Sequence, residues 1–248
     1  MPFELPKDLS ITWFGHATFL VQLPGGKRIL IDPWLTGNPS TPADKQDPGP
    51  VDLMLITHGH SDHIADAAAI AKKTGCTIAA VPEIAAYLGG KGVDQKNVSP
   101  MNKGGTVRFD DLGLSVTMTL AFHTGGINDG ETVIYGGEPG GFVVTLDSGF
   151  AFYHAGDTCV FSDMSLISEL YQPSLAFLPI GDRFTMGPRE AARAALFLST
   201  VRAIIPMHYG TFPLLSGTPD ALKAELVSAG AVTEVITMTP GQTLGGSR

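Results

Sequence analysis

The stretch VDLMLITHGHSDHIAD, residues 51–66, constrains this chain more than any other. VDLMLIT is a nearly continuous apolar run, the composition of a strand buried on both faces of a sheet. SDHIADAAAIAKKTG then reads as a helix, with Ser61 as a plausible cap and Gly75 as its stop. Between strand and helix lie His58, His60 and His63, three of the chain's seven histidines, with Asp62 among them. Loops at the carboxyl ends of strands are where open α/β sheets place ligands. His58 and His60 are two apart, so in an extended segment they point the same way, while Asp62 and His63, at the helix start, point elsewhere. One segment can therefore feed two neighbouring metal positions. Imidazole and carboxylate together suit zinc, manganese, iron or nickel, and donor softness does not choose among them.

The rest of the chain supplies strands in clusters and helices between them. SITWF, TFLVQL and RILIDP read as strands, with LPGGKR as the hairpin turn joining the second to the third. Residues 36–50 are a proline-rich surface loop. CTIAAV is a strand and PEIAAYLGG a short helix. Strands return at TVRF, LSVTMTLAF, GFVVTLD and GFAFYHAG, followed by SDMSLISELY (helix), SLAFLPI (strand), PREAARAALFLST (helix), AIIPMH (strand), TPDALKAELVSAG (helix) and VTEVITMTP (strand). Such interleaving over one continuous chain predicts two sheets between helix layers, an α+β sandwich forming a single domain over 1–248.

Composition narrows the function. A net charge of −8 disfavours a nucleic-acid binder, which needs a basic surface. An anionic small substrate remains compatible, because bound cations reverse the local potential. No apolar run reaches the roughly 20 residues of a membrane helix, and the N-terminus carries no signal-peptide pattern. Two cysteines, Cys76 and Cys159, do not make a disulfide framework; Cys159 is expected to be a small buried residue. A cytoplasmic protein is expected, with a small-molecule substrate as its partner, neither nucleic acid nor membrane, and a homo-oligomer left open.

The histidine cluster resembles the signature of the metallo-β-lactamase superfamily, whose fold is an αββα four-layer sandwich. That family completes two metal sites with a histidine, a bridging aspartate and a last histidine. His123 in LAFHTGG, Asp157 in HAGDT and His208 in IIPMHYGT stand in that order. The resemblance implies His58, His60 and His123 on one metal, Asp62, His63 and His208 on the other, and Asp157 between them. WFGHATFLV, ILIDPWLTGNP, YHAGDT, LPIGDRFTMGPREAA and IPMHYGTFP are further similar to the YtkL-type family of metal-dependent hydrolases, related to ascorbate-6-phosphate lactonase. FHTGG departs from it, where a serine-rich sequence is expected after the histidine. Metallo-β-lactamases proper carry cysteine where Asp157 stands, so the resemblance argues against β-lactam hydrolysis.

The expectation is a hydrolase with two divalent ions, zinc or manganese before nickel or iron. A shared water made acidic by the ions supplies hydroxide for attack on an ester, lactone or phosphodiester. Asp62, Asp157 and His16 are the expected catalytic residues. Asp32, His154, Asp182 and Thr185 are expected to support the ligands or face substrate. A non-catalytic metal-binding protein and an iron-dependent redox enzyme on the same fold are alternatives that the residues do not separate.

Overall fold

In a computed structural model, residues 2–246 are described. They form two compact units. One comprises Glu4–Asn102, Thr124–Pro139 and the residues from Met238; the other is built on Lys103–His123 and Gly140–Thr237.

The unit starting at Glu4 is built on a seven-stranded mixed sheet. Ser10–Gly15, Thr18–Gln22 and Arg28–Ile31 run as an antiparallel meander. Leu53–Leu55, Thr77–Ala80 and Val98–Pro100 extend it in parallel. The change of direction follows from the connections. A tight turn suffices between antiparallel neighbours, whereas parallel strands need a crossover: the long loop over 32–52 supplies the first, helices Ser61–Ile64 and Ala67–Thr74 the second and helix Pro82–Gly90 the third. Met54, Leu55 and Ile78 are fully buried, as the apolar run predicts. Strand Thr243–Gly245, in a stretch with no strand signal of its own, pairs with Ser10–Gly15 at the other edge.

The second unit repeats the plan. Thr106–Phe109, Leu114–Leu120, Gly140–Leu146 and Ala151–His154 are antiparallel, and Leu175–Pro179, Ala203–Met207 and Glu234–Val235 continue in parallel. Tyr153, Leu178 and Ile204 form its core with Met164, Ala191, Ala195 and Leu222 from helices Met164–Tyr171, Pro188–Phe197 and Pro219–Ser228. Among the described residues, no helix is long and apolar enough to cross a membrane.

The expected helix over 61–75 is interrupted. Asp66 Oδ2 accepts bonds from the Leu35 and Thr36 amides at 2.7 and 2.9 Å, and its own N–H donates to Pro33 O. These tertiary bonds hold Asp66 at the start of a second helix, so the first ends at Ile64. His60, not Ser61, occupies the N-cap, with no side-chain cap bond. Gly75 does stop the helix, in the left-handed conformation at φ 68° that favours glycine. VTEVITMTP pairs only at Glu234–Val235. Residues 127–134 form a separate hairpin, Ile127–Asp129 with Thr132–Ile134, which the sequence reading passed over.

Candidate metal centre

In the first unit the strand Leu53–Leu55 delivers Thr57, His58, Gly59 and His60 in a non-regular segment ahead of helix Ser61–Ile64. His58 Nε2 and His60 Nδ1 lie 3.0 Å apart. That matches the roughly 3–3.4 Å between two nitrogens each about 2.1 Å from one ion. Their other nitrogens each meet a threonine hydroxyl: His58 Nδ1 that of Thr57 at 3.0 Å, and His60 Nε2 that of Thr124 at 3.3 Å. The His63 ring lies 4.1 Å from that of His58. Gly59 is required here, since a Cβ would come within 2.4 Å of Ile127 Cγ1 and 3.0 Å of Gly125 O.

Asp32 ends the strand Arg28–Ile31 with φ 47°, a left-handed turn that aspartate tolerates. Its side chain is wholly buried. Oδ1 accepts from the Thr57 amide at 2.8 Å; Oδ2 accepts from the Thr57 hydroxyl at 2.6 Å and lies 2.8 Å from His63 Nδ1. By distance Asp32 groups with His58 and His63 as a donor set, and its oxygens are already engaged in these bonds.

His16 follows the strand Ser10–Gly15, also in a left-handed turn, with its ring fully buried against the edge of Trp34. Its Nε2 lies 3.1 Å from Asp62 Oδ2. His16, Asp62 and His63 each offer a ligand atom within 4.8 Å of the others'. His16 thus belongs to the donor cluster itself.

In the second unit Asp157 follows strand Ala151–His154 and is nearly buried. Two imidazoles approach its Oδ2: His208 Nε2 at 3.0 Å and His123 Nε2 at 3.6 Å. His208 leaves strand Ala203–Met207 with φ 55°. His123 lies three residues past strand Leu114–Leu120 rather than at its end. Thr158 ties the two loops, its hydroxyl accepting from the Phe122 amide at 3.0 Å and donating to Cys159 O at 2.8 Å. His154 is buried against Phe177, and its Nδ1 accepts from the Gly156 amide at 3.2 Å, which shapes the turn carrying Asp157. Asp182 and Thr185 bond within their own loop: Asp182 Oδ1 accepts from the Arg183 amide, and the Thr185 hydroxyl donates to Met186 O. Cys159 is exposed, against expectation, because burial ends at Thr158; Cys76 is the buried cysteine.

The donor chemistry of both units fits a divalent transition metal. Imidazole nitrogens converge on one another or on a carboxylate, and in the first unit the outward nitrogens of His58, His60 and His63 meet Thr57, Thr124 and Asp32. Sequence reasoning missed Thr57, Trp34, Thr124 and Thr158. No residue-type pattern flags a hydroxyl or an indole, although Thr57 directly precedes the histidine motif.

A family model for the beta-lactamase superfamily domain matches residues 27–209. A UPF0173 metal-dependent hydrolase from Rubrobacter xylanophilus is 53% identical over 244 residues, covering 98% of this chain and 98% of that one. Another of the same name, from Koribacter versatilis, is 53% identical over 237 residues, covering 96% of this chain and 98% of its own. Igni18, described as a novel metallo hydrolase from the hyperthermophilic archaeon Ignicoccus hospitalis, matches with a TM-score of 0.82 at 37% identity, over 95% of this chain and 97% of that one. With the metallo-β-lactamase fold, an ordered set of histidines and aspartates, and relatives of this closeness along nearly its whole length, the chain belongs to the UPF0173 metal-dependent hydrolases of the beta-lactamase superfamily.

Proposed function

We propose that the chain holds two divalent metal ions and hydrolyses an ester, lactone or phosphodiester bond in a small substrate. The reading assigns His58, His60 and His123 to one ion, Asp62, His63 and His208 to the other, and Asp157 to both, in the order of the family's ligands. The observation that carries it is the paired approach of His58 Nε2 and His60 Nδ1 at 3.0 Å, with a threonine on the far nitrogen of each ring. Two rings held from outside, with their remaining nitrogens converging, form a chelate rather than a pair of core histidines. When bound, the ions supply Lewis acidity, making a water acidic at neutral pH and stabilising negative charge on the reacting oxygen.

The chain's own groups do the remaining work. Asp32 and Thr57 orient His58 and His63. His16 and Asp62 hold a proton between Nε2 and Oδ2 across 3.1 Å, and this pair transfers it to the leaving oxygen. The His16 ring is fully buried, so water reaches the pair only from the Asp62 side. The test is a panel of lactones, esters and phosphodiesters assayed with Zn²⁺- or Mn²⁺-loaded protein against chelator-treated protein. Metal-dependent turnover of one class is expected. Absence of turnover with every metal, in protein that binds metal, would overturn the catalytic reading.

A further inference from the structure

We infer that Thr57 is a positioning residue whose hydroxyl, backed by Asp32, fixes the proton of His58 on Nδ1. One buried carboxylate thereby sets the tautomers of both His58 and His63; the consequence for metal rests on the proposed function, the tautomers themselves do not. Thr57 and Asp32 are both fully buried. The Thr57 hydroxyl oxygen lies 2.6 Å from Asp32 Oδ2, which as a carboxylate oxygen only accepts. At that separation the single hydroxyl hydrogen must lie between them; otherwise two oxygens face each other with no proton. The Thr57 oxygen can then only accept on its other side, where His58 Nδ1 stands at 3.0 Å. His58 therefore carries Nδ1–H and leaves Nε2 bare, and Nε2 is the atom 3.0 Å from His60 Nδ1.

The same Asp32 oxygen receives His63 Nδ1 at 2.8 Å, so His63 also carries Nδ1–H and leaves Nε2 bare. Backbone geometry locks the device. The Asp32 amide donates to Leu55 O at 3.0 Å, and the Thr57 amide donates to Asp32 Oδ1 at 2.8 Å, so carboxylate and hydroxyl meet in one register. Thr124 offers a contrast within the molecule. It meets His60 Nε2 at 3.3 Å but is exposed, so water can replace its hydroxyl.

The experiment is long-range ¹H–¹⁵N spectroscopy of the full-length chain, zinc-loaded and chelator-treated, above the pH range in which histidine is charged. In the wild type, His58 and His63 are expected to show the Nδ1–H pattern. In chelator-treated Thr57→Val, His58 is expected to lose it while His63 keeps it, and Thr57→Ser restores it. Zn²⁺ affinity, read by chelator competition, should fall about 10–100-fold in Thr57→Val, stay near wild type in Thr57→Ser, and fall less in Thr124→Val than in Thr57→Val. An Nε2–H His58 in the wild type overturns the inference, even if Thr57→Val does not fold. So does an unchanged His58 pattern in a folded, chelator-treated Thr57→Val. A wild type that binds no Zn²⁺ defeats the proposed function instead, and the tautomer measurement still decides the role of Thr57.

Discussion

Substituting Asp32 by asparagine isolates what one buried carboxylate contributes. Asparagine keeps the shape and accepts the left-handed backbone at φ 47°, so no strain is introduced. Its carbonyl can still accept from the Thr57 amide, but the amide nitrogen then replaces Oδ2 and is a donor only. It faces two donors, the Thr57 hydroxyl and His63 Nδ1, at the present 2.6 and 2.8 Å. A hydrogen bond to a charged acceptor contributes about 1.5–3 kcal/mol, so losing two costs about 3–6 kcal/mol. Relief of the carboxylate's own desolvation, and rotation of the hydroxyl, return part of this, leaving a net loss of about 2–5 kcal/mol. At about 2–4 °C per kcal/mol for a chain of this size, Tm falls by about 4–20 °C. Calorimetry on chelator-treated Asp32→Asn and wild type measures it without contribution from metal. A shift under about 2 °C would refute the reasoning, since it would mean that the two bonds at Oδ2 add nothing to stability.

Gly59→Ala forces a methyl to 2.4 Å from Ile127 Cγ1, and denaturant titration should show a loss of about 1–3 kcal/mol. Burial pushes the Tyr209 hydroxyl from 10.0 up to about 12. The folded state then binds more protons than the unfolded between those values, so stability falls as pH rises through that window; Tyr209→Phe should flatten the fall in pH-dependent melting. Cys159 is exposed, whereas Cys76 is buried with its thiol pushed up by desolvation. A thiol reagent should therefore modify Cys159 in the native chain at once and Cys76 only on unfolding.

Local patterns with one physical outcome were legible in the sequence. VDLMLIT could be buried only as an inner strand, and Gly75 could end a helix with no steric cost. His58, His60, Asp62 and His63 stood out because they crowd six positions after a buried strand, whereas His123, Asp157 and His208 entered only through the family resemblance. What failed depended on distant partners. Nothing within 61–75 says that Asp66 will be held by the Leu35 and Thr36 amides, and nothing in VTEVITMTP says that only Glu234 and Val235 find a neighbouring strand. The hairpin over 127–134 did carry a signal, Asp129–Gly130 between β-branched residues, of the kind that marks tight turns. His16 was the hardest: a histidine in a turn has many structural uses, and only its 3.1 Å approach to Asp62 identifies its place.

The central claim is that Asp157 serves two ions at once, and metal content per chain tests it most directly. Asp157→Asn preserves shape but removes a negative charge from between two dications and turns one oxygen donor into an amide nitrogen that cannot ligate. The quantity to measure is divalent metal per chain by elemental analysis, with circular dichroism to verify the fold. The account predicts about two ions in the wild type and at most about one in Asp157→Asn. A folded Asp157→Asn that keeps the wild-type content would contradict it.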